Sequence, residues 1–229
     1  MKIFFLALCI LPYFLFANLD DAKKQFAAQA YDKVDESMKD ELAKENPTLE
    51  VLTLSKNAAM KSGRYLTAHR RVTQILKLTE NKNIEMVFLG AHLAAETGNK
   101  NLAKSRYQFY LKKANAKNAQ TKQSLQFLIN NGAYPDAFRR FIKSYGNKGH
   151  FAMAKKQLDR LAQDANGEQV VQLAEFILQN FTLDHQNEFI QGRLWHYANN
   201  LNLGKALDTR YRKPLAIILA SKPLSSSLA

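Results

Sequence analysis

The apolar positions of this chain recur mostly at steps of three and four residues, the spacing of an amphipathic α-helix. GEQVVQLAEFILQNF at 167–181 has this spacing. Five prolines and nine glycines are few for 229 residues, so tight turns are scarce and the pattern predicts an all-α chain. Before Pro47, a narrow apolar stripe runs at steps of four through mixed charges, and it consists of Phe26, Ala30, Val34, Met38 and Leu42. We interpret residues 18–46 as one charged amphipathic helix, either an N-terminal cap or a coiled-coil arm.

Three stretches share one phrase, in which Gly is second, Ala is seventh and a basic residue precedes a final apolar one. They are SGRYLTAHRRV at 62–72, TGNKNLAKSRY at 97–107 and NGAYPDAFRRF at 131–141. The glycines lie 35 and 34 residues apart, a period that fits two helices with their turns. A fourth match, KGHFAMAKKQL at 148–158, follows the third after only 17 residues. Either the helix over 136–145 belongs to two hairpins, or one of these two matches is accidental.

The phrase has a simple physical interpretation. Glycine fits a tight turn between two helices because it reaches positive φ without a Cβ penalty. Alanine five residues later allows the second helix to approach the first closely. We therefore expect Ala68, Ala103 and Ala137 to be buried beside glycine bends.

An aromatic residue two positions after the glycine completes the phrase at Tyr65, Tyr134 and Phe151. With the alanine five later and a large residue nine later, residues 48–165 resemble tetratricopeptide repeats. The resemblance implies a right-handed α-solenoid of antiparallel helix pairs, with a partner groove lined by the first helix of each pair. Counting back six and ten residues from each turn glycine places the groove at Thr53, Asn57, Phe88, His92, Lys122 and Gln126.

The chain begins with MKIFFLALCILPYFLFA, in which an apolar run from Ile3 to Phe16 follows one lysine. A run of this length is short for a membrane span and suits a bacterial secretory signal peptide. We predict cleavage after Ala17 and a location in the periplasm or outside the cell; the alternative is an uncleaved anchor. Cleavage would remove Cys9, the only cysteine, so the mature protein would hold no disulfide.

The net charge of +13 is unevenly distributed, because residues 18–46 carry eight acids and five lysines. An exported protein seldom meets nucleic acid, which leaves an anionic polymer or a membrane surface as ligands for the basic remainder. The alternative is a solvated face that maintains solubility. The candidate surface is a ladder of basic doublets formed by Arg70, Arg71, Lys112, Lys113, Arg139, Arg140, Lys155 and Lys156.

None of the five histidines forms a metalloprotease motif, and neither a phosphate loop nor a nucleophile elbow is present in the sequence. We therefore expect no catalytic residue, no cofactor, no metal and no small-molecule substrate. The predicted function is an exported scaffold that binds a protein or peptide partner. The alternatives are a binder of anionic envelope polymer or lipid, and a helical accessory subunit of an envelope enzyme.

The predicted organisation has four segments. Residues 1–17 form the signal peptide and 18–46 the charged helix, while 47–165 hold the repeats. Residues 166–229 hold further helical hairpins and a C-terminal cap.

Overall fold

The computed structural model describes residues 18–114, 117–163 and 167–181. These residues contain helices and no strand, which confirms the all-α prediction. The helices are α1 (18–27), α2 (Tyr31–Ser37), α3 (Lys39–Ala43), α4 (Leu49–Lys61), α5 (Tyr65–Leu78), α6 (Ile84–Glu96), α7 (Lys100–Lys113), α8 (Ala119–Asn131), α9 (Pro135–Tyr145), α10 (Phe151–Gln163) and α11 (Gly167–Asn180).

The chain divides into two compact units, Met1–Ala114 and Asn115–Ala229. Helices α1 to α7 belong to the first unit, and α8 to α11 belong to the second. The division falls inside the segment 47–165 that was predicted to hold all of the repeats.

The N-terminal segment forms three short helices, so the prediction of one amphipathic helix over 18–46 is wrong. The chain breaks at Gln29, whose φ of 59° is left-handed, and again at Met38 between α2 and α3. A step of four residues drifts by about 40° on a helix of 3.6 residues per turn, so the stripe would wind by about 160° over its length. The breaks correct this drift, because Phe26, Val34 and Leu42 all join one apolar cluster with α4. Within the first unit the segment packs against α4.

The first unit continues as a succession of packed neighbours. Helix α2 packs on α4, α4 packs on α5, α5 packs on α6, and α6 packs on α7. Three residues join α4 to α5 and α6 to α7, which makes each pair a helical hairpin. Ala68 and Ala103 are fully buried, as predicted for the close approach of the second helix. Val72 and Tyr107, four residues further on, are buried in the same core.

In the second unit, α8 packs on α9 and α10, and α11 packs on α9 and α10. The prediction that Ala137 is buried is wrong, because Ala137 is partly exposed and the next residue, Phe138, is buried instead. Helix α9 begins three residues after Gly132, whereas α5 and α7 begin two residues after their glycines. One extra residue rotates the helix face by about 100°, which moves Phe138 into the contact.

Side-chain caps determine where four of these helices begin. Thr48 accepts a hydrogen bond from the amide of Val51 at the start of α4. Asn83, Asn99 and Asn118 do the same for the amides three residues ahead of them at the starts of α6, α7 and α8. Each bond satisfies an amide that the first helical turn leaves without a partner.

Candidate functional site

Two turns of the first unit have the same hydrogen-bonded geometry. Gly63 and Gly98 have φ values of 72° and 82°, in the left-handed region that glycine adopts easily. The amide of Arg64 donates to the carbonyl of Ala59 at 2.8 Å, and the amide of Asn99 donates to Ala94 at 2.8 Å. Both are Schellman bonds, which join the residue after the glycine to a carbonyl in the last helical turn. The repeated phrase therefore corresponds to a repeated turn.

The third and fourth matches divide the features of the phrase between them. Gly132 lies inside a hairpin as Gly63 does, but its φ of 177° is extended backbone. Gly149 has the left-handed φ of 75°, and Ala154, five residues later, is fully buried. Gly149, however, lies between α9 and α10, after the α8–α9 hairpin. The phrase thus marks one local structure twice in the first unit, and its features are separated in the second.

The basic residue of the phrase reaches back to the preceding helix. Arg71 Nε donates to Ser55 Oγ at 3.0 Å, and Arg106 Nη1 donates to the carbonyl of Gly90 at 3.0 Å. Each acceptor lies 16 residues before its arginine. Arg71 and Arg106, which we name the joint arginines, therefore tie α5 to α4 and α7 to α6 in corresponding ways.

Arg71 belongs to a polar network that also holds α2. Ser55, which is fully buried, donates to Asp35 Oδ1 at 2.6 Å, and Arg64 Nη1 donates to Asp35 Oδ2 at 3.2 Å. Burial lowers the pKa of the Arg71 guanidinium, and the Asp35 charge opposes that shift. The carboxylate of α2 thus lies between two arginines of the first hairpin.

Arg106 joins three helices. Its Nη2 donates to Thr73 Oγ1 at 2.9 Å, and its Nη1 lies 3.2 Å from His69 Nε2. A guanidinium can only donate, so His69 Nε2 accepts and Nδ1, 3.4 Å from Thr97 Oγ1, carries the proton. Burial lowers the pKa of His69, and the Arg106 charge lowers it further. Among the described residues no carboxylate pairs with Arg106. Burial lowers the pKa of the Arg106 guanidinium.

Gln157 has the corresponding place in the fourth match and is fully buried. Its Nε2 donates to the carbonyls of Ile129 at 2.7 Å and Gly132 at 2.9 Å, and its Oε1 accepts from the amide of Tyr134 at 2.7 Å. Arg160 donates to the same two carbonyls. Two side chains of α10 therefore cap the end of α8, where Gly132 makes no left-handed turn.

The predicted groove residues form three pairs, each one helical turn apart. Thr53 and Asn57 are partly buried on α4, and Phe88 and His92 are partly buried on α6. Helices α4 and α6 both pack on α5. The ring of Phe88 lies 5.9 Å from that of Tyr107, so it belongs to the contact between α6 and α7.

The remaining pair lies in the second unit, on α8. Lys122 is exposed, with its Nζ 5.5 Å from the ring centre of Tyr145. Gln126 is partly buried. The aromatic contact holds the Lys122 ammonium close to α9.

The basic doublets of the first unit do not lie at corresponding positions. Arg70 and Arg71 lie seven and eight residues after Gly63, whereas Lys112 and Lys113 occupy the last turn of α7. Arg70, Lys112 and Lys113 are exposed, and Arg71 is turned toward α4. The doublets of α5 and α7 therefore do not recur with the phrase, so they do not form a regular ladder by repetition.

The doublets of the second unit are also mixed in exposure. Lys156 is exposed, while Arg140 and Lys155 are partly buried. Arg139 Nη1 donates to Asp136 Oδ1 at 3.0 Å within the same helix. Only some of the eight predicted cations thus face solvent freely enough to meet a polymer.

Sequence reasoning detected the recurring basic residue but missed its role, and it missed Arg106 altogether as a site residue. Within residues 18–114, 117–163 and 167–181, no three His, Cys, Asp or Glu side chains are grouped to hold a metal. No helix of the described chain has the length and apolar character to span a bilayer. The predicted signal peptide, and residues 182–229 of the predicted C-terminal region, lie outside the described residues.

Comparisons of the chain with family models, curated protein sequences and solved structures found no match. The resemblance to tetratricopeptide repeats therefore rests on the residues of the phrase themselves.

Proposed function

We propose that this protein is an exported, non-catalytic interaction scaffold that binds a protein or peptide partner. In this proposal the helix pairs form a right-handed α-solenoid, and the partner lies along their first helices. The observation that supports it best is the repeated joint of the first unit, in which a glycine turn, a buried alanine and a joint arginine recur in α4–α5 and α6–α7. Pairs joined in the same way present their first helices at a constant spacing, which creates an extended binding surface.

The proposed groove is polar in the first unit. Thr53, Asn57 and His92 offer hydroxyl, amide and imidazole groups on α4 and α6 and are neither fully buried nor fully exposed. Such groups suit the backbone of an extended peptide, because they can both donate and accept hydrogen bonds. The apolar run at the start of the chain supports export, and hence a partner in the cell envelope.

Capture from the native cell envelope tests this proposal. The partner retained by the protein should be lost when Asn57, His92 and Gln126 are replaced together by alanine. A matched control replaces Ser105 and Gln108, two exposed polar residues of α7, by alanine and should retain the partner. Equal retention by the groove variant and the control would contradict the groove. Capture of an enzyme whose turnover requires this chain would favour the accessory-subunit alternative.

The second candidate function is binding of an anionic envelope polymer or lipid, which the net charge of +13 favours. Its cations would be the exposed members of the doublets, Arg70, Lys112, Lys113 and Lys156. Such binding should weaken steeply as salt rises, because exposed charges are screened over about 8 Å at physiological ionic strength. Binding that is already absent at low salt would exclude this candidate.

A further inference from the structure

A pocket of about 330 Å³ lies in the first unit, and none of the proposed groove residues lines it. Phe109 is 39% exposed and, with Ile84, provides an apolar surface there. Lys82 and Lys113 bring two ammonium groups to the same pocket, and Glu80 and Asn81 complete its lining. Within the described chain Lys113 has no carboxylate partner, whereas Lys82 pairs with Glu80 at 2.8 Å. The volume is at the lower end of the range for ligand sites and suits one large side chain with its neighbours.

The turn that lines this pocket has left-handed residues with side chains, where the turns at Gly63 and Gly98 use glycine. Helix α5 ends with the Schellman bond from the amide of Asn81 to the carbonyl of Leu76, at 3.0 Å. Glu80 has the place that Gly63 and Gly98 have in the corresponding turns, and its φ is 50°. Asn81 follows with a φ of 57°. Two consecutive left-handed residues with side chains are unfavourable, and such strain concentrates at functional sites.

We propose that this pocket binds an acidic peptide segment through one bulky apolar side chain of that segment. Phe109 and Ile84 contact the apolar side chain, and Lys113 and Lys82 receive the flanking carboxylates. Charge complementarity identifies an acidic occupant, because Lys82 and Lys113 outnumber Glu80 in the pocket lining. The neighbouring helices α5 and α7 carry eight basic side chains and no acidic one, whereas α6 carries two glutamates and no lysine or arginine. In the free protein the Glu80 carboxylate forms an ion pair with the Lys82 ammonium, and both groups are exposed. Such a pair is weak, so a carboxylate of the peptide can replace Glu80 as the partner of Lys82.

The test titrates the purified protein with the blocked peptide Asp-Asp-Phe-Asp-Asp and follows the backbone amides by NMR. The amides of Asn81, Lys82 and Ile84 should shift on binding. Phe109→Ser should weaken binding about tenfold or more through lost apolar contact, and Lys113→Gln should weaken it about two- to fivefold. The matched controls are Tyr65→Ser and Lys77→Gln, exposed residues of α5 outside the pocket, and neither should change the affinity.

Replacement of Glu80 by glycine separates this proposal from a purely structural role of the turn. Glycine relieves the left-handed strain, so Glu80→Gly should raise the melting temperature. It also removes the competing carboxylate, so binding of the acidic peptide should become about two- to fivefold tighter. A higher melting temperature with unchanged or weaker peptide binding would overturn the proposal.

Peptides and vesicles of other chemistry complete the test. The blocked peptides Asn-Asn-Phe-Asn-Asn, Lys-Lys-Phe-Lys-Lys and Asp-Asp-Ser-Asp-Asp should each bind more weakly than the acidic aromatic peptide. Equal binding of any of them would refute the assigned chemistry, as would preferential shifts of the same amides by phosphatidylglycerol vesicles. Asn57→Ala should leave the peptide affinity unchanged, so failure of the pocket and failure of the groove can be told apart.

Discussion

Replacement of Arg106 by methionine should loosen the joint between α5, α6 and α7 while leaving the apolar core filled. Methionine keeps the aliphatic stem but loses the guanidinium bonds to Gly90, His69 and Thr73, at 3.0, 3.2 and 2.9 Å. A hydrogen bond to a charged group contributes about 1.5–3 kcal/mol when it is buried. The Arg106 guanidinium is only partly buried, and burial of its charge opposes folding, so we expect a net loss of about 1–2 kcal/mol for the whole side chain.

Thermal unfolding followed by circular dichroism measures this loss. For a cooperative unit of about 100 residues, 1–2 kcal/mol corresponds to a decrease in melting temperature of about 5–15 °C. Arg71→Met should behave in the same way, because its arginine has the corresponding place. Arg70→Met is the matched control on the exposed face of α5 and should change stability by less than about 0.5 kcal/mol. A melting temperature of Arg106→Met equal to that of Arg70→Met would refute the predicted role of the guanidinium. Full stability of Arg106→Lys would also refute it, because lysine lacks the planar fork of donors.

Three further predictions concern single contacts. Because the pKa of His69 is lowered in the folded protein, its stabilising contribution is complete above pH 6.5, the ordinary value, and is lost as the pH falls through the folded value. The free energy of unfolding of wild type relative to His69→Gln should therefore fall below pH 6.5, and parallel profiles would contradict this. Gly90→Ala should lower the free energy of unfolding by about 1 kcal/mol, although alanine favours helices. The added Cβ would lie 3.0 Å from Arg106 Nη1 and 3.0–3.1 Å from two apolar side chains of α5. A urea midpoint at or above that of wild type would refute the close approach. Gln157→Leu should cost about 1–3 kcal/mol, because it leaves the amide of Tyr134 without its acceptor. A chemical denaturation curve that matches wild type would contradict this prediction.

The features that follow from local chemistry could be predicted from the sequence. Glycine at the two regular turns has the left-handed φ that its missing Cβ permits, and Ala68 and Ala103 lie at the expected close approaches. The errors arose where the outcome depends on helix phase. On a straight helix the apolar stripe with steps of four would wind around the axis, and the breaks at Gln29 and Met38 return its residues to one side. The steps of four in the sequence were already inconsistent with one straight buried face. The exposure of Ala137 depends on one extra turn residue before Pro135, which alignment of the glycines alone does not reveal.

The joint arginines show a second limit, because a recurring residue indicates a shared constraint without indicating its partner. Arg71 uses a serine hydroxyl and Arg106 uses a backbone carbonyl, so the acceptors share a spacing of 16 residues but no residue type. Only the packed hairpin brings the donor to the acceptor, and the same residues would otherwise be counted as surface charge. This changes the electrostatic argument, since at least two of the cations behind the net charge of +13 are committed to joints between helices. Within the part of the chain that the structure describes, exposed lysines and Arg70 are the cations best placed to hold a ligand of the basic surface. The affinity of such a ligand should be insensitive to substitutions at Arg71 and Arg106 that leave the protein folded.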